Sequence, residues 1–179
     1  MGIIVNMRLG MTKAELASPK IMRQIGMDSI LLIRERTVAG QSYTGQAFKP
    51  YSTRPISIPK AAFPKPKGGR TSNSGRSVFY AGGYREYKQL SRMPGTVRPR
   101  KNKAAKKPTA EVDLTLTGLL MNSMHVTQVT KTSVTVGVTG PALDYAYYVN
   151  QARPFMGLST TDINILADVY SDLIARELR

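Results

Sequence analysis

The net positive charge of this chain is confined to one continuous stretch, residues 49–107. That stretch contains 16 Lys and Arg residues against one acid, Glu86, whereas the other 120 residues contain 10 basic and 10 acidic residues. It also holds seven of the eleven prolines and six of the fifteen glycines. The pattern predicts one domain over residues 1–179, made of a neutral body (1–48 and 108–179) and an inserted basic arm (49–107).

A local excess of this size usually indicates a polyanionic partner, most often nucleic acid. The alternative is a solvated segment without a partner, which is common for sequence rich in Pro, Gly and Lys. The chain has no cysteine, so disulfides and thiolate metal sites are excluded, and we expect no cofactor. Its apolar runs are shorter than the roughly 18–20 residues of a membrane span, and its first residues lack signal-peptide features. We therefore expect a soluble protein, made in the cytoplasm, without membrane contact.

A long helix is predicted near the N-terminus. Ser18 and Pro19 are typical of a helix N-cap and first helical position, and Gly40 marks the end. The apolar residues of this helix spread over more than one face: Ile21, Met22, Ile25, Met27, Ile30, Leu31, Leu32 and Ile33. A helix of this kind is usually buried on several sides. Its second side packs either in the core of a monomer or against a neighbouring subunit, and the pattern favours neither.

The C-terminal part of the body begins with a hairpin. Alternating valines predict strands over residues 126–130 and 134–138, joined by a turn at Lys131–Thr132. A short helix is predicted over residues 143–151, and it ends before Arg153–Pro154 because the residue before proline avoids the helical region.

The last helix is predicted to be amphipathic. Ser159 and Thr160 are potential N-caps, and Asp162 in the first turn favours the helix dipole. One face is apolar (Ile163, Leu166, Tyr170, Leu173 and Ile174) and the opposite face is polar (Asn164, Asp168, Asp172 and Arg176). The elements together predict an α+β fold. An antiparallel sheet is combined with a long N-terminal helix, an amphipathic C-terminal helix and a long basic extended insertion.

The residues offer little support for catalysis. His125 is the single histidine, and we interpret it as a structural residue at a strand edge rather than as a general base. The carboxylates of the last helix are expected on a solvated face without metal-ligand spacing: Asp162, Asp168 and Asp172. The glycine pairs at 68–69 and 82–83 lack the Lys-Ser/Thr of a phosphate loop. We therefore expect no enzyme, and no catalytic, cofactor-binding or metal-binding residues.

Aromatic residues alternate with the cations of the arm and of the sequence just before it. They are Tyr43, Phe48, Tyr51, Phe63, Phe79, Tyr80, Tyr84 and Tyr87. Aromatic side chains that stack on bases contribute about 1–3 kcal/mol each in proteins that bind single strands. However, the prolines near residues 43–51 favour anchoring onto the body over an open stacking platform. The sequence contains no known base-reading motif, so any nucleic-acid contact would be to the backbone.

Five separated segments together resemble the virion morphogenesis family of tailed bacteriophages, which comprises tail-completion and neck (head-to-tail connector) proteins. The similar segments are Arg34–Ser52 (R-x-R-T…G…G-x-x-F-x-P-Y-S), Tyr84–Lys88 (Y-x-x-Y-K), Asp113–Met124 (L-T-x-T-G-x-M-x-x-S), Val134–Val138 (V-x-V-G) and Tyr145–Ser159 (Y-A…N…R-P-F-x-G-L-S). They occur in the family's order and cover most of the body.

The resemblance implies a non-enzymatic α+β protein of the virion, synthesised in the host cytoplasm. Such proteins form oligomeric rings, commonly hexamers, and twelve subunits are known for neighbouring connector layers. The ring joins the head to the tail in the neck or tail region and lets the genome pass. The implied partners are further copies of the chain, portal or head connector proteins, and tail tube or tail terminator proteins. Transient contact with genomic DNA is also implied.

The resemblance and the composition together suggest two sets of site residues. Subunit or ring–ring contacts are assigned to Phe48, Tyr51, Tyr80, Tyr84, Tyr87, Tyr148, Arg153 and Phe155. Contacts with DNA or an acidic partner are assigned to Arg98, Arg100, Lys101, Lys103, Lys106 and Lys107. Phe155 is expected to be a buried anchor before the last helix. Arg153 is expected to pair with an acid such as Asp144, the alternative being an intersubunit contact.

The arm has two alternative roles. Its prolines, tyrosines and phenylalanines favour a strap that orders along an acidic neighbouring ring. It could instead present cations to DNA in the channel, although tight gripping there would hinder the moving genome. A different function for the whole chain is also open, namely a general nucleic-acid-binding protein of ribosomal or packaging type without sequence preference.

Overall fold

The structure, a computed structural model, describes residues 4–8, 18–91 and 112–177. It divides into two compact units: unit 1 is Met1–Phe48 with Leu120–Arg179, and unit 2 is Lys49–Leu119. The first boundary coincides with the predicted start of the basic arm. The second boundary falls after Leu119 rather than after Lys107, because residues 112–119 pack in unit 2.

The described residues form five α-helices and six short strands. In order they are β1 (Ile4–Arg8), α1 (Pro19–Val38), β2 (Ile56–Pro59), β3 (Arg70–Thr71), β4 (Ser77–Tyr80), α2 (Gly83–Ser91), α3 (Leu119–Asn122), β5 (Met124–Val129), β6 (Ser133–Val138), α4 (Leu143–Ala152) and α5 (Thr160–Glu177). This composition confirms the predicted α+β fold. Within the described residues, no helix is both long and apolar enough to cross a membrane.

Unit 1 contains an antiparallel sheet in the order β1-β6-β5. The central strand β6 pairs Val136 with Val5 on one side and with Val126 on the other. The β5–β6 hairpin turns at the predicted Lys131–Thr132 step. However, β6 is more buried than its alternation predicts, because Thr135 and Gly137 are buried as well as the valines. A central strand with partners on both sides leaves little of its surface to water.

Helix α1 lies against this sheet. Its N-cap is Ser18, whose side chain accepts a hydrogen bond from Ile21 N at 3.2 Å, as the sequence predicts. The core is formed by one side of the helix with residues of β6 and α5: Ile21, Met22, Ile25, Val134, Leu166 and Tyr170. On the exposed side, Met27 and Leu31 remain 52% and 43% exposed. The second apolar side of α1 is therefore only partly buried within the chain.

Helix α5 packs on α1 through a narrower apolar face than predicted. Leu166 and Tyr170 are buried, and the Tyr170 hydroxyl donates to Asp28 Oδ2 at 2.5 Å. Burial, together with the hydrogen bond to Asp28 and its charge, raises the pKa of Tyr170 above its ordinary value. Ile163, in contrast, is 53% exposed, so its predicted place in the packed face is wrong. The side chains of Leu173 and Ile174 lie outside the described residues.

Unit 2 has more regular structure than its sequence predicts. Its antiparallel sheet has the order β2-β4-β3, and helix α2 covers one face through Tyr87, which packs with Val78 and Tyr80. Gly69 lets the chain approach β4 closely, because a methyl group there would lie 2.5 Å from the Val78 side chain. The sequence of this unit is rich in turn-forming residues. Its short strands nevertheless form a small sheet, in which more buried and more exposed residues alternate along β2 and β4.

The contact between α1 and its sheet predicts a stability effect at Gly26. A Cβ at Gly26 would lie 2.6 Å from a Val134 methyl and 2.8 Å from a Val126 methyl. We expect Gly26→Ala to destabilise the protein by about 1–3 kcal/mol, because overpacking forces the helix away from the sheet. The urea midpoint measures this effect. Arg23→Ala, at an exposed position of the same helix, should change stability by no more than about 0.5 kcal/mol. Equal effects of both substitutions would contradict the packing account.

Candidate functional site

A buried ion pair joins the end of α1 to the start of α5. The Arg36 guanidinium contacts the Asp162 carboxylate, and both side chains are only 8% exposed. The same guanidinium donates to Phe155 O at 3.0 Å and to Gly157 O at 2.6 Å. Burial lowers the pKa of Arg36, but a guanidinium remains protonated at neutral pH. One cation therefore binds two backbone carbonyls and a carboxylate that are more than 110 residues away in sequence.

Asp162 also caps its own helix. The Ser159 backbone N–H donates to Asp162 Oδ2 at 2.8 Å, and the Asp162 N–H donates to Ser159 Oγ at 3.1 Å. This reciprocal arrangement is a capping box, and it satisfies N–H groups at the start of α5. The expected solvated position of Asp162 is therefore wrong. The residue is 6% exposed, because Arg36 and the helix start both bind its carboxylate.

The turn between α4 and α5 is fixed by an amide side chain. Asn150 Oδ1 accepts hydrogen bonds from Phe155 N at 3.0 Å and from Met156 N at 2.9 Å. Phe155 is fully buried, which confirms it as an anchor before the last helix. Tyr43 N donates to Pro154 O at 3.2 Å, so the loop after α1 contacts the same turn.

A second buried ion pair lies within unit 2. Lys88 on α2 binds Asp113 Oδ1 at 2.5 Å, with side-chain exposures of 7% and 8%. The Lys88 ammonium also contacts the Tyr51 hydroxyl and lies 4.2 Å from the centre of that ring. Thr115 completes the cluster by donating its backbone N–H and its hydroxyl to Asp113, at 3.1 and 2.8 Å.

The charge of Asp113 is stabilised despite its burial. Burial alone raises the pKa of this carboxyl. The positive charge of Lys88, with hydrogen bonds from Lys88 and Thr115, outweighs that effect and leaves the pKa below its usual range. Asp113 is thus ionised at neutral pH and neutralises the buried cation.

Four of the residues assigned to intersubunit contacts form a continuous aromatic cluster in unit 2. Ring centres are 5.4 Å apart for Tyr51–Tyr84, 5.9 Å for Tyr84–Tyr87 and 5.4 Å for Tyr80–Tyr87. The Tyr87 hydroxyl donates to Pro64 O at 2.9 Å, and the Tyr80 hydroxyl donates to Lys67 O at 2.8 Å. These rings anchor the loop between β2 and β3 from inside the unit.

Several assigned contact residues are buried rather than at the surface. Phe48, Tyr80, Tyr87 and Phe155 are at most 6% exposed, so their side chains cannot present a surface to another subunit in this conformation. The physical reason is that each fills the interior of its own unit. Tyr51, Tyr84 and Arg153 are half-buried, and the pairing of Arg153 with Asp144 stays a prediction. Tyr148 is 69% exposed and stacks edge-on with Tyr147 at 5.6 Å.

The cations assigned to DNA or acidic contacts lie outside the described residues: Arg98, Arg100, Lys101, Lys103, Lys106 and Lys107. The arm's other cations are distributed unevenly between interior and surface. Lys88 is buried, whereas the remaining Lys and Arg side chains of residues 49–91 are exposed. Glu86, the acid of the arm, receives a hydrogen bond from Gly82 N at 2.7 Å.

Sequence reasoning missed the partners of both buried cations. Ser159-x-x-Asp162 is a capping-box signature and could have indicated a bound carboxylate, but its pairing with Arg36 has no local signal. Lys88 is one of the 16 basic residues of the arm, and nothing near it in sequence marks it as buried. His125 is exposed on β5, opposite Gly137. In the part of the chain that the structure describes, no three His, Asp or Glu side chains are grouped as a metal site requires.

Comparison of the chain with protein-family models, with curated proteins and with solved structures finds no match.

The Arg36 cluster predicts that arginine cannot be replaced by lysine. A lysine ammonium carries the charge but cannot bridge two carbonyls and a carboxylate as a planar guanidinium does. We expect Arg36→Ala to cost about 3–5 kcal/mol of unfolding free energy and Arg36→Lys to cost about 2 kcal/mol, measured in urea. The exposed Arg23→Lys is the matched control and should change stability by less than about 0.5 kcal/mol.

A double-mutant cycle tests the coupling itself. Arg36→Ala combined with Asp162→Ala should cost less than the sum of the single changes by at least about 1 kcal/mol, because each single change leaves a buried charge unpaired. Additive effects would show that the two residues act independently.

The Lys88 cluster predicts a pH-dependent stability. Because the folded-state pKa of Asp113 is depressed, its contribution is present above the unfolded-state pKa of about 3.9 and is lost as pH falls through the lower folded value. Asp113→Asn should cost about 3 kcal/mol at pH 7 and flatten the loss of stability below about pH 4. Urea midpoints between pH 3 and 8 measure both effects. Asp168→Asn, at an exposed position of α5, should leave the profile as in the unsubstituted protein.

Proposed function

We propose that this protein is a non-enzymatic structural component of a tailed-phage virion, of the neck or tail-completion type. It forms an oligomeric ring, most simply a hexamer, that joins head to tail around the path of the genome. Its partners in this role are further copies of the chain, a portal or head connector protein, and a tail tube or tail terminator protein.

One observation carries the proposal: the segments that resemble the phage family meet in the two buried ion-pair clusters. Arg36 belongs to the R-x-R-T segment, and its carbonyl partners Phe155 and Gly157 belong to R-P-F-x-G-L-S. In unit 2, Tyr51 from the end of the Arg34–Ser52 segment meets two further segments of similarity at Lys88 and Asp113. Residues that are distant in sequence and match one family pattern are thus the residues that hold each unit together.

The use of these polar residues also supports a structural role. The two Nη atoms of Arg36, the Lys88 ammonium and both carboxylates bind protein partners and lie away from solvent. A substrate would have to displace those partners and leave a buried charge unpaired, which costs several kcal/mol. The motif residues are therefore suited to stabilising the fold and not to binding and converting a substrate.

Exposed apolar surface in unit 1 supports assembly. Met27 and Leu31 are one turn apart on the outer side of α1, so they lie next to each other. On α5, the exposed apolar residues are Ile163, Ile165 and Val169, at 53%, 44% and 53% exposure. Paired apolar side chains on the outer sides of two helices are typical of protein–protein contact surfaces. We assign the second side of α1 to a neighbouring subunit.

The purified full-length protein tests this proposal. We expect rings in negative-stain images and, by light scattering, a mass about six times that of the 19.7 kDa chain. Met27→Glu combined with Leu31→Glu should shift the protein to monomers without unfolding it, because it places charges in the subunit contact. Thr132→Glu on the exposed β5–β6 turn is the matched control and should keep the ring. A protein that stays monomeric at all concentrations tested would overturn the proposal.

A further inference from the structure

The outer face of the unit 2 sheet presents an exposed aromatic ring. Phe79 in the central strand β4 is 37% exposed, while its neighbours Val78 and Tyr80 point into the core. The residues directly opposite Phe79 are Ser57 on β2 and Arg70 on β3, both exposed. Opposite residues in antiparallel strands have Cβ atoms about 4.5–5.5 Å apart. The ring therefore lies between a small hydroxyl side chain and a guanidinium on an open sheet face.

Serine and proline residues neighbour this ring, and Arg70 is the cation beside it. The next pair along the same face is Ser77 with Pro59. The pair after that is Lys60 with Arg76, where Lys60 N donates to Arg76 O at 3.0 Å, and strand alternation assigns it to the opposite face, that of Val78 and Tyr80. In residues 49–91 exposed cations outnumber the single acid Glu86, whose carboxylate is engaged by Gly82 N. The face is complementary to an anionic ligand that has a flat apolar group.

The arrangement favours nucleic acid over an acidic protein strand. Two of the aromatic residues that a strap along an acidic protein would use, Tyr80 and Tyr87, are buried in the unit, whereas Phe63 in the β2–β3 loop is 74% exposed. The part of the arm that contains Phe79 is a folded sheet rather than an extended segment. A rigid sheet with one open ring suits the stacking of an unpaired base, and duplex DNA offers no free base face.

We propose that the outer face of the β2-β4-β3 sheet binds single-stranded nucleic acid. Phe79 stacks on a base, and Arg70, directly opposite it on β3, contacts a neighbouring phosphate. The binding has no sequence preference, because every base has a face that can stack. It does not require the chain to form a ring, so it can hold or fail independently of the proposed virion role.

The test uses full-length protein and a labelled oligo(dT) of about 12 nucleotides, with binding followed by fluorescence anisotropy. Phe79→Ala should weaken binding about tenfold, because a stacked base is lost. Phe79→Leu keeps an apolar side chain without a ring and should weaken binding similarly, whereas Phe79→Tyr should stay within about twofold. Equal thermal melting of the variants shows that the fold is retained.

Two further comparisons separate stacking from simple charge attraction. Arg70→Ala should reduce the slope of log K against log salt by about 0.7, the value for one contact with a single strand, while Lys131→Ala in unit 1 should not. A mixed-sequence duplex of equal length should bind more weakly than oligo(dT). Tighter duplex binding, oligo(dT) binding unaffected by loss of the Phe79 ring, or poly-glutamate binding that depends on Phe79 would each overturn the proposal.

Discussion

The structure of unit 1 depends on how the two Nη atoms of the buried Arg36 guanidinium are bound away from water. A buried cation is tolerated only when carboxylate and carbonyl oxygens replace its hydration. Here those oxygens come from the turn after α4 and from the first turn of α5. The turn is itself fixed by Asn150, and the start of α5 by the capping box of Ser159 and Asp162. One charge on α1 therefore determines where the chain must turn more than 110 residues later.

Unit 2 also buries a cation, although its sequence carries a much larger excess of positive charge than that of unit 1. Its sequence is strongly cationic, and a compact unit cannot bury many like charges. Among the cations of residues 49–91, a single one, Lys88, is buried, where Asp113 neutralises it and the Tyr51 ring covers it. The other cations of residues 49–91 stay in water. The interior is thus electrically neutral while the surface retains the positive charge that an anionic partner needs.

Local signals in the sequence predict α1, the β5–β6 hairpin, α4 and α5 of unit 1, but not the edge strand β1. The Ser18 cap, the alternating valines of β6 and the proline after Arg153 each act over a few residues, so sequence order alone reveals them. The buried ion pairs could not be predicted, because Arg36 and Lys88 look like any solvated cation until a distant carboxylate is brought to them. The sheet of unit 2 was missed because its strands are two to four residues long and separated by turns. Ile163 was misplaced because the wide apolar stripe of α5 contacts α1 along only part of its width.

The placement of aromatic residues decides what the cationic unit can do at its surface. Tyrosine hydroxyls are anchored on backbone carbonyls of the β2–β3 loop, so Tyr80 and Tyr87 serve the interior. Phenylalanine has no such polar atom to anchor. Phe79 lies between Ser57 and Arg70 on the outer face of the sheet, with 37% of its surface exposed, and it is not a member of the core cluster of Val78, Tyr80 and Tyr87. Its position is accounted for if the face is covered by a ligand that is both flat and anionic, and an unpaired nucleotide has both properties.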